Sequence, residues 1–246
     1  MPNKISNEEL LNDLQRVTGL LGQAPSYEEM RRLGRFSPHT YQRRFGTWTE
    51  VKQLVGWTPS WLSYKPEDVS FEDGAWLAGI IDGEGCFRLM RPGPNSNGGK
   101  SHSYAPVFTV SIRDDDTPVI NEMVRILGVP DTSMHIDSRR ACKAHGMKAN
   151  PAVKINLRDV PTLAFHLIPL LELHPLRGKK RYELPVFAFA VNILLTKRLD
   201  GRLNSRYTTE ERSLLHHCYL VLREMKAYQA DYQGILDEHS LPVTLP

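Results

Sequence analysis

The chain has 246 residues, 41% hydrophobic and 24% charged, with a formal net charge of +3. Those proportions suit a soluble chain that buries a core without staples, and the mild basic excess leans toward a polyanionic partner. Cys86, Cys142 and Cys218 are odd in number and widely spaced, which argues against a disulfide framework and points to a reducing, cytoplasmic compartment. Met1–Lys4 leads into a polar helix rather than an apolar signal, and no apolar run reaches the roughly 20 residues of a membrane span. The longest run, Leu184 to Leu195, is interrupted by Pro185 and Asn192.

Residues 5 to 57 read as short helices. Ser6 caps a helix carrying Leu10, Leu11, Leu14, Val17 and Leu21 at helical spacing, and Gly22 and Pro25 stop it. Ser26 starts a second helix that ends at Gly34. Ser37-Pro38, a cap with proline in the first turn, opens His39 to Phe45. Gly46-Thr47-Trp48 breaks that helix, and a last one runs through Val51, Leu54 and Val55. Two short helices around Gly34, the second basic and polar, have the outline of a helix-turn-helix, with Arg43 and Arg44 as DNA-contact candidates. The alternative is a plain helical extension packed on the core. Residues 59–70 hold Pro59, Ser60, Ser63, Pro66 and Ser70 and read as a linker, in which Trp61 and Leu62 are possible anchors.

From Phe71 the pattern changes. Phe71 to Ile81 reads as a helix of small and apolar residues, ended by Asp82-Gly83-Glu84-Gly85. Cys86 to Arg91 and Pro106 to Arg113 alternate as strands, joined by a Gly/Pro/Asn/Ser loop from Pro92 to Ser103. Asp116 or Thr117 caps a helix from Pro118 to Leu127, closed by Gly128. Strands follow around Met134–Asp137 and Ala152–Leu157, with a basic stretch between them, and then helices over Val160–Leu173, Lys180–Leu195 and Thr208–Tyr228.

Hydrolysis of a DNA phosphodiester needs a neutralised phosphate, a hydroxide-like water and a stabilised leaving oxyanion. Hard divalent cations supply all three through carboxylate and phosphate oxygens. Glu84, at a helix end and flanked by Gly83 and Gly85, has the form of such a carboxylate. The competing readings are an ordinary glycine-stopped helix end and a dinucleotide-binding loop; the loop would follow a strand, whereas these glycines follow a helix.

Leu77 to Gly85 resembles the LAGLIDADG motif of homing endonucleases. Leu77, Ala78, Gly79, Ile81, Asp82 and Gly85 match directly, and Glu84 stands as the acidic equivalent. The resemblance implies an α+β fold of αββαββα order, with a saddle-shaped antiparallel sheet lying on DNA, over residues 71–200. It implies a metal ligand at Glu84, with Asp82 as the earlier acid, and Mg²⁺ or Mn²⁺ as cofactor. Close packing of the motif helix on a second copy would use Ala78, Gly79 and Asp82. One motif in the chain then implies a homodimer on a pseudo-palindromic double-stranded site. Pro175-Leu176-Arg177-Gly178-Lys179-Lys180 resembles the family stretch that brings a lysine to the active site; Lys180 is the first choice and Lys179 the second. Residues 1–58 are similar to the helical repeat that accompanies homing endonucleases, on Leu21–Ser26 and Arg44–Trp48.

A sheet of that family turns Cys86, Arg88 and Met90 to one face and Phe87 and Leu89 to the other. Arg88, Met90, Arg113, Arg139, Arg140, Lys143 and Lys154 are then the DNA-facing candidates, against the plainer reading of solvated charges. Asp114–Asp116 reads as a turn and cap. Cys142-xx-His145 and His216-His217-Cys218 lack a complete zinc-ligand spacing. The rival function is a non-cleaving nucleic-acid binder, an RNA splicing maturase or a DNA-binding regulator. A third reading is an intein-embedded enzyme; the lack of a Cys or Ser splice start and of a terminal His-Asn argues against self-splicing. Residues 201–246 carry no motif.

Overall fold

The computed structural model describes residues 5–58, 63–91, 93, 104–130, 134–137, 152–199, 207–227 and 230–239. They belong to two compact units, one containing residues 5–58 and the other containing Tyr64–Lys197 and 207–239.

The first unit is four short helices, α1 (Asn7–Leu21), α2 (Tyr27–Leu33), α3 (Pro38–Phe45) and α4 (Trp48–Gln53). Reciprocal capping boxes start three of them, Ser6 with Glu9, Ser26 with Glu29 and Thr47 with Glu50, so their orphan amides are satisfied locally. Ser37 departs from the expected cap: it makes no bond to a helix amide, and its hydroxyl instead meets that of Thr40 at 3.1 Å. Leu10, Leu14, Val17, Met30, Tyr41 and Val51 form the core. Asp13 lies among them at 3% exposure. It accepts from the Arg16 guanidinium at 2.6 Å, the Arg35 amide at 2.7 Å and the Tyr41 hydroxyl at 2.8 Å. Burial pushes this carboxyl up, but the bonds from Arg16, Tyr41 and the Arg35 amide outweigh it and leave it below the usual aspartate range.

The second unit opens with Tyr64, whose hydroxyl donates to the Ile126 carbonyl at 2.7 Å and whose ring stacks on His166 at 4.2 Å. The sequence reads this stretch as linker, yet from Tyr64 onward it packs on the core; Trp61 and Leu62 lie outside the described residues. Then come α5 (Phe71–Glu84), β1 (Gly85–Met90), β2 (Ala105–Arg113), α6 (Thr117–Leu127), β3 (Met134–Asp137) and β4 (Ala152–Leu157). A helical stretch over 160–173, labelled α7, includes a wide turn at Leu163–Leu167 flanked by Pro161 and Pro169. It is followed by α8 (Lys180–Leu199), α9 (Thr209–Glu224) and α10 (Tyr232–His239). The class is α+β in the expected order, helix, two strands, helix, two strands, helix.

The sheet order is β1-β2-β4-β3, antiparallel throughout. Phe87 and Leu89 on β1, Phe108 and Val110 on β2, and Val153, Ile155 and Leu157 on β4 are buried with the inner faces of α6, α7 and α8. Helix α9, followed by Met225, adds Leu215, Cys218, Val221, Leu222 and Met225 to the same core, so this part of the chain belongs to the domain. Burial pushes the Cys218 thiol up to about 12, as expected of an inert core cysteine. Among the described residues no three His, Cys, Asp or Glu side chains converge as a metal cluster. No described helix is long and apolar enough to cross a membrane.

Candidate active site and nucleic-acid interface

Helix α5 is capped by Ser70, whose hydroxyl accepts from the Asp73 amide at 3.1 Å. Gly74, Leu77, Ala78 and Ile81 form its buried face. Gly74 is there because the His174 ring approaches closely; a Cβ would stand 2.2 Å from it. The other side exposes Ala75, Gly79 and Gly83, and a Cβ at either glycine would meet no described atom within 4 Å. Ala78 therefore faces its own core, at 6% exposure, whereas Gly79 faces outward. Phe71 and Trp76 are exposed on the same helix.

The end of α5 is held from two directions. The Asp82 carboxylate accepts through one oxygen from the amides of Arg177, at 2.7 Å, and Gly178, at 2.9 Å. Its second oxygen is buried with no partner among the described residues. Gly178 sits so close that a Cβ would stand 3.0 Å from that second oxygen. In return, Lys180 Nζ donates to the Asp82 carbonyl at 2.5 Å and the Gly83 carbonyl at 3.2 Å. Those are two of the carbonyls a helix end leaves without intrahelical partners, and an ammonium there also complements the helix dipole. Lys180 is only 5% exposed. Burial lowers its pKa, the nearby Glu183 carboxylate opposes that, and Lys179 adds to it. Lys179 itself is exposed.

Glu84 is the last residue of α5. It is exposed and makes no hydrogen bond or ion pair among the described residues. Gly85 follows with no room for a side chain, since a Cβ would stand 2.6 Å from the Ile81 carbonyl oxygen. The chain thus leaves the helix straight into β1 with the Glu84 carboxylate at the junction. The two motif acids have different surroundings: that of Asp82 is engaged by backbone amides, while that of Glu84 is open.

The sheet face opposite the core begins beside Glu84. Arg88 and Met90 are exposed on it, Met90 by half, and Cys86 is half-buried. Cross-strand register brings Cys86 opposite Thr109, Thr109 opposite Asn156, and Ser111 opposite Lys154. Directly paired residues share a face, so Thr109, Ser111 and Asn156 join Arg88, Met90 and Lys154 there. Sequence reasoning passed over these three because only strand pairing puts short polar side chains next to the arginines. Arg113, at the end of β2, is exposed and pairs with Asp115. Arg139, Arg140 and Lys143 lie outside the described residues, as do Cys142 and His145.

In the first unit Arg43 is exposed near the end of α3. Arg44 bonds the Asn7 side chain at 3.1 Å and the Ile5 carbonyl at 3.0 Å, tying α3 to the start of α1.

This helical arrangement is where similarity to known sequences is found: residues 5–58 match the family model described as "homing endonuclease associated repeat". The N-terminal unit is similar to that repeat. The repeat's Trp48, from the quoted Phe45-Gly46-Thr47-Trp48 stretch, donates to the Pro25 carbonyl at 3.1 Å and meets Tyr27 and Tyr41 edge-on. A search of curated proteins returned no match. Among solved structures, the LAGLIDADG meganuclease I-AabMI bound to uncleaved DNA is 21% identical over 59% of this chain and 43% of its own, with a TM-score of 0.41. The homing endonuclease I-TnaI is 18% identical over 72% of this chain and 98% of its own, with a TM-score of 0.44. I-SmaMI bound to cleaved DNA is 16% identical over 72% and 51%, also at 0.44. The chain therefore spans about half the length, or less, of two of these three.

Proposed function

We propose that this chain is a divalent-metal-dependent endonuclease of the LAGLIDADG type that cleaves double-stranded DNA as a homodimer. The observation that carries the reading is the exposed Glu84 carboxylate at the junction of the motif helix and a sheet whose outer face presents Arg88, Met90, Ser111, Lys154 and Asn156. The motif and the element order support the family, and the N-terminal repeat supports the homing context.

Glu84 suits a hard divalent cation, because its oxygens are exposed and have no described partner. Mg²⁺ or Mn²⁺ held there with phosphate oxygens would neutralise the scissile phosphate and acidify a water. Asp82 contributes by ordering the 177–180 turn, with one carboxylate oxygen occupied by two amides and the other buried. The outer sheet face positions the duplex, its arginine and lysine on phosphates or guanine edges and its short polar side chains on other base edges.

Pairing of two copies would use the open stripe Ala75, Gly79 and Gly83, extended by Trp76, rather than Ala78. Sedimentation of the purified protein is expected to give a dimer, and Gly79→Leu a monomer of unchanged thermal stability. A strictly monomeric wild type that still cleaves duplex DNA would remove the homodimer.

One observation favours the rival binder. Lys180, the first choice for the reacting lysine, is buried on helix carbonyls, which leaves Lys179 as the accessible one. The deciding experiment is selection of cleaved sites from a randomised duplex library with Mg²⁺ or Mn²⁺. The nuclease reading expects recovered sites with wild type and none with Glu84→Gln, which still retains the same duplexes. Retention without cleavage by wild type would favour the binder.

A further inference from the structure

The candidate active site does not make use of Glu183. This carboxylate is 3% exposed, one helical turn beyond Lys180 on α8. Its bonded partner is Lys226 Nζ at 3.0 Å, just past the end of α9. Its charge also acts on Lys180. A buried carboxylate is costly unless its charge is balanced, and here the balance is shared between two ammoniums on opposite errands. Lys180 is committed to the carbonyls of Asp82 and Gly83, and Lys226 is the cation bonded to Glu183. Without Lys226, Glu183 would still attract Lys180, one helical turn away on α8, and would draw that ammonium off the end of the motif helix.

We propose that Lys226 and Glu183 are positioning residues for the candidate metal site, so that the C-terminal segment fixes the placement of Glu84 through Lys180. The catalytic half of this inference rests on the nuclease reading; the positional half stands without it. The C-terminal segment then acts as a strut from which the end of the motif helix is aligned. Its apolar residues seat α9 on the core, and the Lys226 ammonium carries that placement to Lys180.

The test uses the intact protein labelled with ¹⁵N-glycine, which reports Gly83 and Gly85 on either side of Glu84. Lys226→Met keeps the aliphatic stem and is expected to displace both resonances. Lys226→Arg is expected to leave them in place. Glu183→Gln combined with Lys226→Met is expected to return them, because no unbalanced carboxylate remains to pull on Lys180. Simple loss of packing would not be repaired by a second substitution. On a duplex recovered from the library, Lys226→Met is expected to slow single-turnover cleavage about tenfold with DNA affinity unchanged, and the double variant to recover. Glycine resonances unmoved in Lys226→Met, or a double variant no closer to wild type than the single, would overturn the proposal. If Lys226→Met does not fold, a folded double variant with wild-type resonances supports it, and one with displaced resonances overturns it. Resonances that move and return in a protein whose wild type never cleaves would uphold the positioning and sink the nuclease.

Discussion

The two units use ionisable groups in opposite ways. In the N-terminal repeat the decisive carboxylate, Asp13, is buried and fully occupied, accepting from a guanidinium on its own helix, an amide in the connection between α2 and α3, and a phenol on α3. It acts as an internal joint for a unit with a small apolar core. In the larger unit the core is extensive and apolar, and Asp82, Lys180 and Glu84 stand where the motif helix meets the sheet. There Asp82 and Lys180 hold the backbone, and Glu84 is exposed with no partner among the described residues. The contrast separates carboxylates that build a frame from one that the frame presents.

Substitutions can break or sharpen that contrast. The largest effect on stability is expected from Asp13→Ala, which strands the buried Tyr41 hydroxyl and the Arg35 amide; a loss of about 2–4 kcal/mol is expected, confined to the repeat. Calorimetry resolving the two units would check it, and equal loss in both would refute the separation. Gly74→Ala should cost the larger unit about 1–3 kcal/mol, since the new methyl meets the His174 ring. Asp82→Ala is expected to cost about 1–2 kcal/mol by freeing the amides of Arg177 and Gly178, visible as faster hydrogen exchange at those two positions. Glu84→Gln should change stability by less than about 0.5 kcal/mol, because its side chain is exposed and unpaired among the described residues. A large loss of stability in Glu84→Gln would make Glu84 part of the frame.

The pH dependence sharpens the same point. The folded-state pKa of Asp13 is below its unfolded value. Its contribution is therefore fully present above the ordinary aspartate range and is lost as pH falls through the lowered folded value. Acid titration followed by NMR of the repeat is expected to show this loss, and Asp13→Asn should flatten it.

The local elements were legible because their signals are local. Three of the four helix starts in the repeat carry a capping pair three residues apart, and β1 alternates strongly enough to show which side chains leave the core. The motif singled out Glu84 and Gly79, and the structure leaves both exposed on the helix. The role of Lys180 was not legible: its bond to the Asp82 carbonyl spans 98 residues, and nothing in Leu176–Lys180 tells which of two adjacent lysines turns inward. Ala78 and Gly79 are also adjacent, and only the packing of Leu77 and Ile81 decides which of them faces the core.

By itself the sequence determined the α+β class, the order of elements, the repeat, and the acid at the end of the motif helix, because capping, periodicity and glycine placement act over a few residues. The tertiary structure alone decided that Lys180 closes the helix end, that Asp82 orders a distant turn, that Thr109, Ser111 and Asn156 join the outer sheet face, and that Lys226 balances Glu183. Each of those depends on which distant groups share a low-dielectric interior or a strand register, and that is settled by the packing of the whole unit.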